Sequence, residues 1–234
     1  MKLVGIAARA ARNSDNDHIF QIHESLRRML SNQKGIAQTL ILPTENIDYL
    51  KLKAGTDSID TAKLDFMLDQ CDGFILPGGG RFYKFDEYII RYAIKHDKPL
   101  LAICLGFQAL CTTFARERTA FSMNHRIPDG SHCNKNATEY QHRVNITPNT
   151  KLAQILKQEN IPVNSLHHYQ INFEMDTLVK NAIAEDGVLE GVEHPTAKFI
   201  LGTQWHPEGL HDENSERLIA TFVNALRSTN NPLH

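Results

Sequence analysis

Cys104 stands where an apolar run stops and a helical pattern begins. The run Leu100-Leu101-Ala102-Ile103 is short and branched, and it is entered from Asp97-Lys98-Pro99. It reads as a buried parallel strand leaving a turn. Phe107, Leu110, Cys111 and Phe114 then follow at helical spacing. A thiol on such a strand-to-helix turn stands clear of the sheet, beside a helix N-terminus whose free N–H groups and positive dipole favour a thiolate. Gly106 gives the close backbone approach that a nucleophile elbow needs. Two further stretches supply what a nucleophile lacks. Phe74-Ile75-Leu76 runs into Pro77-Gly78-Gly79-Gly80, a loop almost without side chains, where one N–H joins that of Leu105 to hold a tetrahedral oxyanion. His206-Pro207-Glu208 places a base and a carboxylate on one face of extended backbone, because proline disfavours a helical conformation for the residue before it. There the carboxylate fixes the imidazole tautomer and supports the imidazolium that forms when the thiol proton is taken. Taken singly, each has a plainer reading: a core cysteine, a glycine turn, an exposed turn. Their conjunction in this order is what covalent catalysis by cysteine requires.

The elements that must position these groups follow from periodicity. Residues 3–8 read as a first buried strand, and Ile19, Ile22, His23, Leu26, Met29 and Leu30 as the inner stripe of a following helix. Residues 39–42 end at Pro43 as a second strand, while 44–58 are mixed and polar and carry no chemistry on their face. After the third strand at 74–76, Phe85, Tyr88, Ile89, Tyr92 and Ala93 predict a helix leading back to the Cys104 strand, a βαβ unit. Residues 144–147 and 162–166 read as strands around the amphipathic turn Leu152, Ile155 and Leu156, and the second meets His167-His168-Tyr169-Gln170. Residues 188–193 and 199–205 form a hairpin that delivers the chain to His206. A last helix over about 213–227 buries Leu218, Ile219, Phe222, Val223 and Leu226. With no repeat, linker or low-complexity tract, residues 1–234 are expected to form one domain.

Composition narrows the partners. The chain has 25 Lys and Arg against 27 Asp and Glu, with no basic stripe, so nucleic acid and anionic membrane are not expected. Small neutral or acidic substrates stay open. The four cysteines, Cys71, Cys104, Cys111 and Cys133, have no close paired spacing, which argues against a disulfide framework and for the cytoplasm. A signal peptide is not expected, since residues 3–8 are too short for an apolar core and Arg9 and Arg12 follow. No apolar run approaches membrane-spanning length. Glycine placement also argues against a phosphate loop: no Gly-Lys-Ser/Thr follows Gly78-Gly79-Gly80, and the dinucleotide spacing is missing. Residues 116–140 form a long polar excursion of the kind used as lids or binding loops. His125, His132, Cys133 and His142 lie in it or beside it, but their spacing matches no structural zinc pattern, so no metal is expected.

Cys104-Leu105-Gly106-Phe107-Gln108 resembles the Cys-x-Gly-x-Gln elbow of the class I glutamine amidotransferase family, and Gln204-Trp205-His206-Pro207-Glu208 resembles its closing Gln-x-His-Pro-Glu. Between them, Glu139-Tyr140-Gln141-His142-Arg143-Val144 and Val163-Asn164-Ser165-Leu166-His167-His168 are similar to the γ-glutamyl-γ-aminobutyrate hydrolase branch, peptidase family C26. There a His-x-Val strand and an Asn-Ser-x-His-His segment precede the histidine of the site. The resemblance runs from about residue 3 to the end of the last helix. It implies an α/β fold, an open, mostly parallel, doubly wound, flavodoxin-like sheet with helices on both faces and the site at the carboxyl ends of the strands. It implies hydrolysis of a small γ-glutamyl amine or peptide through a γ-glutamyl thioester, releasing glutamate. Cys104 would be the nucleophile, His206 the proton carrier and Glu208 its orienter. The amides of Gly79 and Leu105 would hold the oxyanion, and Gln108, Ser165 and His167 would help hold the glutamyl head group. No cofactor is implied, and a homodimer stays open. Three departures touch the pocket. Leu105 stands where that branch usually has arginine, residues 112–121 lack its glycine pair, and Tyr169 occupies its glutamine position with Gln170 one step on. Two other readings share the motifs: a glutaminase subunit passing ammonia to a synthase partner, and a catalytically silent binding protein of the same fold. The intact Cys104, His206 and Glu208 argue against the silent protein.

Overall fold

Short apolar runs separated by amphipathic stretches of helix length fold into βα units. The computed structural model describes residues 1–43, 59–80, 83–116, 125–127, 131–134 and 136–228. The polar stretch 44–58 and much of the excursion after the elbow helix lie outside the described residues.

β1 (Lys2–Ala7) runs into a hairpin of β2 (Arg9–Arg12) and β3 (His18–Gln21). Its turn is held by Asn13, whose side-chain oxygen accepts from the backbone N–H groups of Asp15 and Asp17. The helix expected across Ile19, Ile22 and His23 is therefore shorter. Ile19 pairs with Ala11 and Phe20 with Ala10 in the hairpin, and α1 spans only Glu24–Ser31, burying Leu26 and Leu30. This local side-chain-to-backbone turn outcompetes helical spacing.

Next come β4 (Ile36–Ile41), α2 (Thr61–Asp69), β5 (Gly73–Leu76), α3 (Lys84–Lys95), β6 (Leu100–Ile103) and α4 (Leu105–Thr113). α2 has no counterpart among the sequence expectations, since it buries only Leu64 and Leu68 and carries an exposed Phe66. The chain continues through β7 (His125–Arg126), β8 (His142–Ile146), α5 (Lys151–Leu156) and β9 (Asn160–Val163). It ends with β10 (Tyr169–Gln170), β11 (Val179–Ala184), β12 (Leu189–Glu193), β13 (Ile200–Thr203) and α6 (Glu213–Arg227).

Nine of these strands form one open sheet in the order β4-β1-β5-β6-β13-β12-β11-β8-β9. The half from β4 to β13 is parallel, and the half from β13 to β9 is antiparallel. Alternation along β6 shows that both faces of the parallel half are covered. Leu101 and Ile103 pack with Leu26 of α1 and Phe222 of α6 in one apolar cluster. Leu100 and Ala102 pack with Phe85 of α3 and Phe107 of α4 in the other. This is the expected doubly wound α/β sheet, and its β5, β6 and β13 carboxyl ends present the glycine loop, Cys104 and the segment leading to His206. No helix among the described residues is long and apolar enough to cross a membrane.

Candidate active site

Cys104 ends β6 and caps α4 with φ 51° and ψ −101°. Its N–H donates to Thr203 O (2.8 Å), extending the β6–β13 ladder, and its carbonyl accepts from Gln108 N–H (3.0 Å) to open the helix. One residue thus completes the strand and starts the helix, at a backbone strain of about 1–3 kcal/mol. Gly106 makes the turn feasible, because a β-carbon there would lie 2.1 Å from the Leu76 carbonyl oxygen. Leu105, as the first helical residue, has no intrahelical partner for its N–H.

His206 follows β13 and is fixed through its backbone and its ring. Asn164, fully buried just after β9, accepts from His206 N–H and donates to His206 O, both at 2.8 Å. The ring Nδ1 lies 2.7 Å from Glu208 Oε1, which makes Nδ1 the protonated nitrogen and leaves Nε2 for the neighbouring Cys104. Burial opposes a charged imidazole here, but the neighbouring Glu208 and Cys104 outweigh it and hold His206 well above the usual histidine range. Gly78 gives the ring its room: a β-carbon there would lie 2.7 Å from His206 Cε1 and 3.5 Å from Cys104 Cβ.

The glycine loop is anchored by a pair that sequence reading missed. Arg9 donates from Nε and Nη2 to Pro77 O (3.1 and 2.9 Å) and from Nη1 to both oxygens of Asp86 (2.7 and 2.9 Å). Asp86 also accepts from Tyr83 N–H, capping α3. A β-carbon on Gly79 would press on Arg9 Cδ at 3.1 Å and Leu105 Cδ2 at 3.2 Å, so the two expected oxyanion residues adjoin. A lone arginine after a strand and an aspartate far along the chain carry no spacing signal.

The other expected residues are placed less uniformly. Gln108 lies on α4 and donates to Gln204 Oε1 (3.0 Å). Ser165 is fully buried and donates to His132 O (2.6 Å). His167 donates from Nδ1 to Tyr169 O (3.0 Å), with Nε2 3.2 Å from Glu190 Oε1. Of the four loop residues weighed as zinc ligands, His132 and His142 come together, ring centroids 4.3 Å apart, and His167 and Glu190 join them. Cys133 instead faces His168, Sγ to Nε2 3.3 Å, and the His125 side chain lies outside the description. Glu190 had a faint signal, an acidic residue inside a strand paired on both sides. Burial pushes the Cys71 thiol up to about 11 and that of Cys111 well above its usual value.

A thiol on a strand-to-helix elbow, backed by imidazole and carboxylate at the carboxyl ends of a parallel sheet, marks a cysteine hydrolase of the class I glutamine amidotransferase-like type. The chain belongs to the Peptidase C26 family, whose profile matches residues 83–208. A glutamine amidotransferase-like protein of Rickettsia prowazekii is 26% identical over 228 residues, covering 69% of this chain and 79% of its own length. A CTP synthase of Saccharolobus solfataricus is 30% identical over 195 residues, covering 72% of this chain but 36% of its own length. Among solved structures, the acivicin-bound glutaminase domain of Trypanosoma brucei CTPS superposes with a TM-score of 0.69 at 17% identity, over 98% of this chain and 95% of that one. At that identity the likeness is one of fold.

Proposed function

We propose that the protein hydrolyses the γ-glutamyl amide bond of a small γ-glutamyl amine or peptide, releasing glutamate. The reading is carried by Cys104 and His206 meeting beside Gly78 at the elbow, with the His206 ring hydrogen-bonded to Glu208. The Peptidase C26 match that spans it adds support. Cys104 Sγ, its proton already taken up by His206 Nε2, adds to the γ-carbonyl carbon, and the carbonyl π pair moves onto oxygen, facing the amides of Gly79 and Leu105. The C–N bond then breaks as His206 returns the proton to the departing amine, leaving a γ-glutamyl thioester. Water repeats the sequence: its proton goes to His206, its oxygen bonds the carbonyl carbon, and the C–S bond breaks to free glutamate and restore the thiolate. Gln108, one turn beyond Cys104, would help hold the glutamyl head group, although its Nε2 already donates to Gln204 Oε1. The polar atoms of Ser165 and His167 are already engaged, which favours a role for both in supporting the segment that holds His206.

A second reading, a glutaminase passing ammonia to a synthase, is favoured by the likeness to CTP synthases and by Leu105 at the elbow. One experiment separates them: glutamate release by the isolated protein from glutamine and from a panel of γ-glutamyl amines and peptides, with Cys104→Ser as control. Turnover of γ-glutamyl amines without ATP, metal addition or partner is expected. A protein idle on the panel that hydrolyses glutamine once a synthase is added belongs to the second reading.

A further inference from the structure

Four side chains that this reaction does not use meet in one buried place. One potential ligand atom from each of His132, His142, His167 and Glu190 lies within 4.8 Å of all the others. Glu190 Oε1 stands 3.1 Å from His132 Nδ1, 3.2 Å from His167 Nε2 and 3.6 Å from His142 Nε2. The Glu190 side chain is fully buried and that of His132 nearly so, while the His142 side chain keeps 17% exposure, a path inward from solvent. The four arrive from the excursion, the start of β8, the stretch after β9, and β12.

The outer nitrogens decide what this pocket presents. His132 Nε2 lies 2.8 Å from Asp186 Oδ2, His167 Nδ1 lies 3.0 Å from Tyr169 O, and His142 Nδ1 lies 3.4 Å from Arg143 O. Carbonyl and carboxylate oxygens only accept, so the outer nitrogen of each ring is the N–H. In a neutral ring the inner nitrogen then carries a lone pair, aimed here at a carboxylate that also only accepts. Accordingly, His132 Nδ1, His142 Nε2 and Glu190 Oε2 have no hydrogen-bond partner among the described residues. A proton shared between His167 and Glu190 satisfies one pair and leaves the others unmet. Acceptors facing acceptors away from water are costly, and a cation removes the conflict at once.

We propose that His132, His142, His167 and Glu190 bind one divalent transition-metal ion, zinc by preference, in a closed site of three imidazole nitrogens and one carboxylate oxygen. Imidazole suits zinc among the borderline ions, and four protein ligands with no open position are the mark of a structural site. The outer hydrogen bonds to Asp186 and two carbonyls are the kind that orient metal-binding imidazoles and raise their basicity. Tetrahedral ligands at zinc distances of about 2.0–2.1 Å stand about 3.3 Å apart, and the four atoms already lie within 4.8 Å of one another. This replaces the expectation of no metal drawn from spacing, because the ligands come from separate elements and form no short motif.

The site also has a mechanical consequence. His132 O accepts from both Ser165 Oγ and His167 N–H (2.6 and 2.9 Å), Asn164 beside them grips His206, and Glu190 O accepts from Gln204 N–H at 2.7 Å. A bound ion would therefore stiffen both segments that hold His206 without taking part in chemistry.

The test uses the full chain, stripped with chelator and titrated with ZnCl2. One zinc per chain should survive desalting, read by elemental mass spectrometry, and the thermal midpoint should climb with zinc as RT ln(1 + [Zn]/Kd) requires. Asp186→Asn, at a half-exposed position, should fold and bind zinc about 10- to 100-fold more weakly. His142→Asn and Glu190→Gln should lose stoichiometric binding, whereas Cys104→Ser and Cys133→Ser should keep it. If Glu190→Gln does not fold, His142→Asn and Asp186→Asn decide. Retention well below one ion per chain, or no zinc-dependent thermal shift, overturns the proposal and leaves a proton-sharing network. Unchanged zinc affinity in His142→Asn and Asp186→Asn, or loss of binding in either cysteine variant, overturns it by placing the ion elsewhere.

Discussion

At the scale of single residues, the backbone of Cys104 makes a measurable claim. Its φ of 51° and ψ of −101° lie where glycine is at ease and other L residues are not. Cys104→Gly and Cys104→Ala both remove the thiol, so their difference isolates the backbone. The glycine variant should be the more stable by about 1 kcal/mol, reversing the usual order, and urea unfolding of the pair reads it directly. Equal stabilities would mean that the elbow stores no strain. Thiol reactivity gives a second prediction. Iodoacetamide near neutral pH should reach Cys104 first and be slowed by substrate, because burial holds Cys71 and Cys111 protonated. Cys133, beside His168, is the internal competitor. Peptide mapping showing Cys71 or Cys111 labelled as fast as Cys104 would remove the nucleophile assignment. The third concerns Glu208, whose charge helps raise the pKa of His206. Glu208→Gln removes that charge, so the imidazolium needed to protonate the leaving amine is lost at a lower pH. The alkaline limb of kcat/KM should therefore move downward, and kcat should fall less than the roughly 10² to 10⁴-fold expected for His206→Ala. An unmoved limb would mean that Glu208 does not act on the imidazole.

At the scale of elements, two glycines separate folding from function. A β-carbon on Gly106 meets the Leu76 carbonyl at 2.1 Å, in the backbone of a central strand that cannot yield. Gly106→Ala should cost about 1–3 kcal/mol or more, as overpacking does. A β-carbon on Gly78 crowds the His206 ring at 2.7 Å and makes ordinary contact with Cys104 Cβ at 3.5 Å, so the strain falls on a side chain of the site rather than on strand backbone. Gly78→Ala should fold with a near-normal midpoint and lose most of its kcat, and a poorly folded Gly78→Ala with a healthy Gly106→Ala would reverse the assignment. The same contrast explains what was legible in the sequence. β6, α3 and α6 announce themselves because their apolar spacing agrees with their flanks and their partners are near in sequence. The β2–β3 hairpin does not, since Asn13 overrides a helical stripe. Neither does β11, whose pairing with β8 and β12 depends on strands elsewhere in the chain. Cys104 and His206-Pro207-Glu208 were readable because their chemistry is local. Arg9 and Asp86 lie 77 residues apart, and the His132, His142, His167 and Glu190 cluster draws on four elements, so only the folded chain displays them.

At the scale of the whole molecule, the parallel half of the sheet carries the glycine loop, Cys104 and the lead into His206, and under the proposed function the excursion after α4 would set which amine is released. The excursion is tied down at described points. Ala115 bridges to Met175, Arg116 pairs with Asp176, β7 pairs with β10, and Asn134 N–H donates to Ser165 O. Those anchors reach Ser165, next to the Asn164 that holds His206, and the chain that follows it as far as Asp176. Specificity should divide accordingly. Attack requires the γ-carbonyl in a near-attack position, so γ-glutamyl amides should outcompete their α-linked isomers, whose scissile carbonyl is displaced. Replacing residues 117–124 with a short Gly-Ser segment should reorder kcat/KM among γ-glutamyl amines while leaving inhibition by free glutamate within a fewfold of its original value. Both are read from one set of competition assays, and the thermal midpoint guards against a misfolded variant. If the replacement leaves the order of amines unchanged but weakens glutamate recognition, the excursion holds the glutamyl head group and the division between the two halves of the site must be reversed.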